Sequence, residues 1–264
     1  LNTSSTDFEE SMLIFSIDVD VGSKALGEIN RGENDMNVRK SISEYRLGEI
    51  EELALPLFVE MFNYFEIPVT FAVRGQLAEA ENTVFDMLKS PVKHDIAAHG
   101  YYHRKFTSLT RNEAMNELCM ISTSMKKLGI KPQTFIFPAN RVAYLDLLEN
   151  HKYKCYRGYG DFLRDCMKVE KIGKLYNIHP SLYISHLAQF TLAKRILNIS
   201  VAKKLPLHIW FHLWNFGQSE GDMRRSINSF FVPLVSYAKK LEEKGLLAFE
   251  TMLSAAEKAE KSGS

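Results

Sequence analysis

The sequence predicts an α/β fold whose strands form a parallel sheet, closed or nearly closed into a (β/α) barrel. Short apolar runs alternate with amphipathic stretches along the whole chain, the runs are continuously apolar, and no linker rich in Pro, Gly or Ser divides them. The runs are MLIFSID (12–18), PVTFAV (68–73), HDIAA (94–98), TFIFP (134–138), KCYR (154–157), LYNI (175–178), LHIWFHL (207–213) and LLAFE (246–250). So many strands suit a barrel better than a small open sheet, and barrel chemistry sits where the strands end. Ile50, Leu53, Leu57, Phe58, Met61, Phe62 and Phe65 follow helical spacing, and Pro56 either kinks that helix or marks its start. Thr110 and Glu113 form a capping box before the stripe Ala114, Leu118, Ile121, Met125 and Leu128, which Gly129 ends. The polar stretch from Gly22 to Arg46 reads as a long loop on the catalytic rim, placed to bind or cover substrate.

The 264 residues fit one domain over 1–264, with a core of about 12–250 and polar tails, the last of them KAEKSGS, frayed at both ends. With 33 Lys and Arg against 32 Asp and Glu, the formal charge is +1, which gives no support for binding a nucleic-acid backbone. Cys119, Cys155 and Cys166 lie far apart without CxxC spacing, so neither a zinc knuckle nor a disulfide framework is expected and a reducing compartment fits. No apolar run reaches the roughly 18 residues of a membrane span, and the first residues lack a basic region followed by an apolar segment. The expected location is cytoplasmic.

The first strand ends in FSIDVDVG. Side chains alternate on a strand, so Ser16, Asp18 and Asp20 share one face while Phe15, Ile17 and Val19 take the other. Two carboxylates this close repel unless a proton or a cation intervenes, so a metal or a shifted pKa is their natural companion. The bland alternative is a turn residue beside a solvated carboxylate. Asp-x-Asp also opens haloacid-dehalogenase-type phosphatases, whose distal acidic motif GDFLRD (160–165) mimics, and it occurs in metal-dependent glycosyltransferases; neither family accounts for the histidines.

Eight histidines in this length give fewer than one pair at spacing four by chance, and the chain has two: His99 with His103, and His208 with His212. On a strand, four residues separate the second pair by about 13 Å, too far to share an ion whose ligand bonds are about 2 Å. The first pair follows a strand, in AHGYYHRKF. If the chain turns helically there, the two rings fall on one face about 6 Å apart and can clasp one metal. His94, at the start of that strand, belongs at the opposite end of the barrel.

FSIDVD, TFAVRG, HDIAAHGYYH and LHIWFHLWN, spread over about residues 12–215, together resemble the motifs of the polysaccharide deacetylase superfamily (carbohydrate esterase family four). That resemblance implies a distorted (β/α) barrel with about seven parallel strands. It implies that Asp18 is the catalytic base, that Asp20, His99 and His103 hold a divalent metal, with zinc as the default, and that the last-motif histidine is the acid. His212, nearer the strand's C-terminal end, is taken as that acid and His208 as structural. The family arginine that pairs with the base has no direct counterpart in FPANR, where Arg141 is the candidate and Asn140 a substrate contact. Tyr101 and Tyr102, between the expected ligands, are placed to flank the site, with Tyr101 a candidate substrate contact, and Trp210 and Trp214 are candidates for an apolar floor under an acetyl methyl or a sugar ring. The implied reaction removes an N-acetyl group from an amino sugar or glycoconjugate by attack of metal-bound water. An amidohydrolase of small non-sugar amides, a metal-dependent glycosyltransferase and a weakened carbohydrate-binding relative are the alternatives.

Overall fold

The computed structural model describes residues 8–19, 53–80, 86, 88–158, 167–184, 189–216 and 219–262. The stretch 22–46, the segment GDFLRD, Ile50, Asp20 and Cys166 lie outside them. Each of the eight apolar runs forms a strand: β1 (Ser11–Val19), β2 (Thr70–Val73), β3 (Asp95–Ala98), β4 (Thr134–Ile136), β5 (Cys155–Arg157), β7 (Leu175–Ile178), β9 (Pro206–His212) and β10 (Leu247–Glu250). Two more, β6 (Val169–Ile172) and β8 (Leu182–Tyr183), lie in stretches too polar or too short to stand out in the sequence.

These strands make one curled sheet in the order β6-β7-β5-β4-β3-β2-β1-β9-β8. Among the described residues only β6 runs against its neighbour. The longest strand, β1, organises the rest. Along one edge it pairs with β9 from Met12 to Asp18, and its other pairings are shared between β10 at the start and β2 at the end. The wall therefore curls as a distorted barrel.

Alternation along β1 sorts the core into two layers. Leu13, Phe15, Ile17 and Val19 join the larger cluster, in which helices α1 (Leu55–Tyr64), α3 (Arg111–Lys127), α5 (Phe190–Lys203) and α7 (Val232–Glu242) cover the sheet. Pro56 falls in the first turn of α1, where its missing N–H costs little, directly after a π turn at Leu53 and Ala54. Thr110 and Glu113 make both bonds of the capping box on α3, and Gly129 ends that helix with φ +73°. Met12 and Ile14 point the other way, into a smaller cluster with Ala72, Ala97, Ile136, Cys155, Tyr176 and Ile178.

Helix α8 (Met252–Ser262) closes that inner cluster with Met252, Ala255, Ala256 and Ala259. The polar end from Lys258, read from sequence as frayed, is helical to Ser262 because its alanine stripe packs. No described helix is long and apolar enough to cross a membrane.

The inner layer holds one carboxylate far from the strand ends. Asp95, at the start of β3, accepts from Thr134 Oγ1 at 2.7 Å and Thr70 Oγ1 at 3.1 Å, and Thr70 Oγ1 in turn accepts the Met252 N–H that opens α8. Burial pushes the Asp95 carboxyl up to about 6, against the opposing effect of these hydrogen bonds. A carboxyl raised in the folded state contributes stability below its unfolded pKa near 4 that is lost as pH rises through about 6. Asp95→Asn removes the titration. The stability difference between variant and wild type, read from urea denaturation, is expected to move in the variant's favour by about 2–3 kcal/mol between pH 4 and 7.

Candidate active site

The strand ends of one rim carry the polar groups. Asp18 is the next-to-last residue of β1, Arg157 the last of β5, His212 the last of β9, and His99 follows β3 directly. Their side chains meet. Arg157, 1% exposed, donates from Nη2 to Asp18 Oδ2 at 2.6 Å, from Nη1 to Ser16 Oγ at 2.8 Å and from Nε to Asn140 Oδ1 at 2.9 Å. Its guanidinium lies 4.5 Å from the centre of the Trp210 ring. The same carboxylate oxygen lies 3.8 Å from His99 Nε2 and 3.6 Å from His212 Nε2.

Asp18 is itself buried, and its second oxygen, Oδ1, accepts no hydrogen bond among the described residues. Burial raises its pKa, but Arg157, His99 and His212 outweigh that and hold the carboxyl at about 2. It is an anion across the whole physiological range, with one oxygen left for a ligand.

The two histidines of the second motif also meet, by a route the sequence did not suggest. Residues 99–105 are not helical. Gly100 at φ +67° and His103 at φ +62° reverse the chain, and the Nε2 atoms come to 3.0 Å. His99 is set by the sheet: its backbone N–H donates to Val73 O, and Nδ1 lies 2.8 Å from Ile136 O. A carbonyl only accepts, so Nδ1 carries the proton and the Nε2 lone pair of neutral His99 faces the site. Burial is the main cause that keeps His103 well below the usual imidazole pKa, and the nearby Arg74 guanidinium acts in the same direction.

Neutral imidazoles with converging Nε2 atoms fit a divalent metal, since two nitrogen ligands on one tetrahedral ion stand roughly 3.3 Å apart. Among the described residues no group of three or more His, Cys, Asp or Glu gathers around one point. The third ligand expected from the resemblance, Asp20, lies outside them.

Other candidates separate. Arg141 is exposed and does not take the place beside Asp18; Arg157 does. Asn140 is buried and holds Arg157, so it is a support and not a substrate contact. It reaches that position through a short 3₁₀ turn, Pro138–Asn140, in which Ala139 and Asn140 have φ +54° and +53°. Tyr101 and Tyr102 are core residues, stacked edge-on 4.7 Å apart, and a Cβ on Gly75 would come within 2.5 Å of the Tyr101 ring. Trp210 is buried under Arg157, and the Trp214 side chain is outside the described residues.

Sequence reasoning missed Tyr183. It is half-exposed, its ring lies 4.6 Å from that of Trp210 and 6.0 Å from that of His212, and its hydroxyl donates to Asn215 Oδ1, which also accepts the His212 N–H. An aromatic in a two-residue strand gives no periodic signal. Arg157 was legible in principle, as a charge closing an apolar strand run, like Asp18.

Depth separates the histidines of β9. Register sets His212 opposite Asp18 and His208 opposite Ile14. His208 is 1% exposed, with Nε2 2.7 Å from Ser16 Oγ and Nδ1 3.3 Å from Ile178 O. The carbonyl fixes the proton on Nδ1, Ser16 donates to Nε2, and Ser16 Oγ accepts from Arg157.

The polysaccharide deacetylase family model matches residues 52–155, the stretch that contains both His99 and His103. No curated protein matches the sequence. Among solved structures, a protein described as a polysaccharide deacetylase from Mycobacterium smegmatis is similar with a TM-score of 0.71 at 14% identity, over 98% of this chain and 94% of that one. PuuE allantoinase follows at 0.69 and 16%, over 94% and 89%. A family 4 carbohydrate esterase from Bacillus anthracis gives 0.52 and 14%, over 97% and 86%. At these identities the structures show a shared fold. Family model and fold agree with the resemblance to the polysaccharide deacetylase superfamily that the motifs carry.

Burial and the nearby Arg157 push the His208 pKa down to about 3. A histidine depressed in the folded state contributes stability that is complete above its unfolded pKa near 6.5 and is lost as pH falls toward 3. His208→Gln is therefore expected to unfold more easily at pH 7.5, by about 1–3 kcal/mol, from the disrupted link to Ser16. Its loss of stability between pH 7 and 4, measured by denaturant titration, should be shallower than that of the wild type.

Proposed function

We propose that the protein is a divalent-metal-dependent hydrolase that removes the N-acetyl group of an amino sugar or glycoconjugate. One observation carries the reading: a buried carboxylate, Asp18, sits among Arg157, His99 and His212 at the rim where the two rings of His99 and His103 converge. The family match over the His99–His103 segment supports it.

His99 and His103 would hold the metal, with Asp20 the third donor in the family pattern. Such a cation supplies positive charge that makes nearby water more acidic and offsets the charge developing on the amide carbonyl oxygen. The remaining work belongs to the chain. Asp18, anionic and with Oδ1 available, accepts the proton of the attacking water. Arg157 keeps Oδ2 in place and keeps the carboxyl ionised, which ties the base to a fixed position at the cost of basicity. His212, 3.6 Å from the same oxygen and partly open to the cleft, gives a proton to the departing amine, which leaves poorly as an anion. Tyr183 and the ring of Trp210 form an aromatic corner beside His212, on which an apolar sugar face can rest.

A second reading, hydrolysis of a small non-sugar amide, draws on the allantoinase among the similar structures. The two readings part on substrate and share the residues above. Acetate and free amine released from N-acetylglucosamine oligomers, measured against allantoin hydrolysis with metal-loaded and chelated protein, separates them. Acetate from the sugar only with metal is expected. Activity on the small amide alone would replace the first reading by the second, and turnover in chelator would overturn both.

Asp18→Asn is expected to keep a bound divalent ion while turnover falls by at least about 10²-fold. Loss of the ion with activity would make Asp18 a ligand. His212→Ala is expected to slow amide hydrolysis by about 10²- to 10⁴-fold and to spare an activated ester, whose leaving group needs no proton. Equal losses on both substrates would make His212 a positioning group.

A further inference from the structure

The proposed metal pair is asymmetric in how it is held. His99 hangs from the sheet through its own backbone and through Ile136 O, whereas His103 stands in a loop that leaves β3 through two left-handed residues. Such a loop has no strand ladder to fix it, so something else must bring the second ring back onto the first.

Under the loop lies Glu117. It belongs to the middle of α3, within the apolar stripe of Ala114, Leu118 and Ile121, and it is 0% exposed. Its Oε2 accepts the backbone N–H of Tyr101 at 2.6 Å and of Tyr102 at 3.0 Å, and its Oε1 accepts from Arg104 Nε at 2.8 Å. One carboxylate thus grips Tyr101 and Tyr102, between the two histidines, and Arg104, just beyond the second. From the other side Arg74 donates to Tyr102 O at 3.4 Å. Two backbone N–H groups aimed at one point make a small anion cradle, and a buried carboxylate is stable there only with such donors.

We infer that Glu117 is a positioning residue for the metal site: it clamps the loop so that His103 Nε2 is presented to His99 Nε2 before any metal arrives. This rests on the proposed metal reading of the two histidines. Groups that orient metal ligands without touching the ion commonly change affinity by about 10- to 100-fold when removed. Glu117 does this through backbone, not through a ligand ring.

The test uses Glu117→Leu, which fills the same space without a charge, and Glu117→Gln, whose side-chain oxygen can still accept from Tyr101 and Tyr102 while its amide opposes Arg104. Cobalt(II) alone is titrated into each protein and followed by its visible absorption, with His99→Ala as the control for where it binds. Amide hydrogen exchange at Tyr101 and Tyr102 is measured without metal. Glu117→Leu is expected to weaken cobalt binding by about 10- to 100-fold and to lose the two protected amides while helix α3 stays protected, and Glu117→Gln is expected to recover part of both. Unchanged exchange and unchanged cobalt affinity in a folded Glu117→Leu would overturn the clamp. Should Glu117→Leu not fold, unchanged affinity in Glu117→Gln with its two amides exposed would overturn it equally. Protected amides in the wild type that Glu117→Leu exposes, together with a cobalt signal that His99→Ala leaves intact, would overturn the metal reading and leave the clamp as a purely structural device.

Discussion

The ion pair of Arg157 with Asp18 sets the terms for everything around it. Both members are almost fully buried, and a charge taken out of water is tolerated only when its partner and its remaining donors or acceptors are supplied by the fold. Arg157 uses all three nitrogens, on Asp18, Ser16 and Asn140, and lays its flat face on Trp210. Those partners come from β1, from the turn after β4 and from β9, so one guanidinium joins three separate segments of the wall. Exchanging it for lysine would keep a charge and lose the fork and the stack.

The inner face of the sheet changes character along the strands. Near the strand starts it is a closed apolar cluster under α8, interrupted by Asp95, whose oxygen is satisfied by two threonines. Higher up come Ser16 and His208, and at the rim Asp18, Arg157, His99 and His212. The two histidines of β9 show what depth does to one residue type: His208 is locked as a neutral link between Ile178 O and Ser16, while His212, one helical-looking spacing further on, meets the carboxylate at the open end. Of the two, only the upper position reaches the rim and keeps some exposure.

This gradient explains which features could be read from the sequence. Eight strands were legible because their apolar runs are local, and the capping box of α3 because it spans four residues. The sharing of one face by Ser16 and Asp18 follows from alternation alone. The approach of His99 and His103 was also foreseen, though through a helical turn; Gly100 and His103 in left-handed conformations do it instead, and a non-glycine φ of that sign, as at His103, leaves no pattern in composition. The FPANR motif points to Arg141, three residues after Pro138, whereas the partner of Asp18 is decided by which strand end the barrel curl brings opposite β1. Arg157 and Asp18 are 139 residues apart, and nothing in either neighbourhood announces the other.

Electrostatics then narrows what the rim can do. A carboxyl held near 2 is a poor base toward bulk water, so what Asp18 itself brings to the rim is a fixed anion. His99, with its Nδ1 proton on Ile136 O, turns the Nε2 lone pair toward His103 Nε2 at 3.0 Å, so the ring nitrogens of the pair converge on one point of the rim. The one histidine of the rim that remains partly open, His212, lies beside the aromatic corner of Tyr183 and Trp210. Arg157, His99 and His212 therefore stand around one oxygen of Asp18, with His103 against His99. Their different settings follow from burial and from hydrogen-bond direction, with the Arg157–Asp18 pair at the centre.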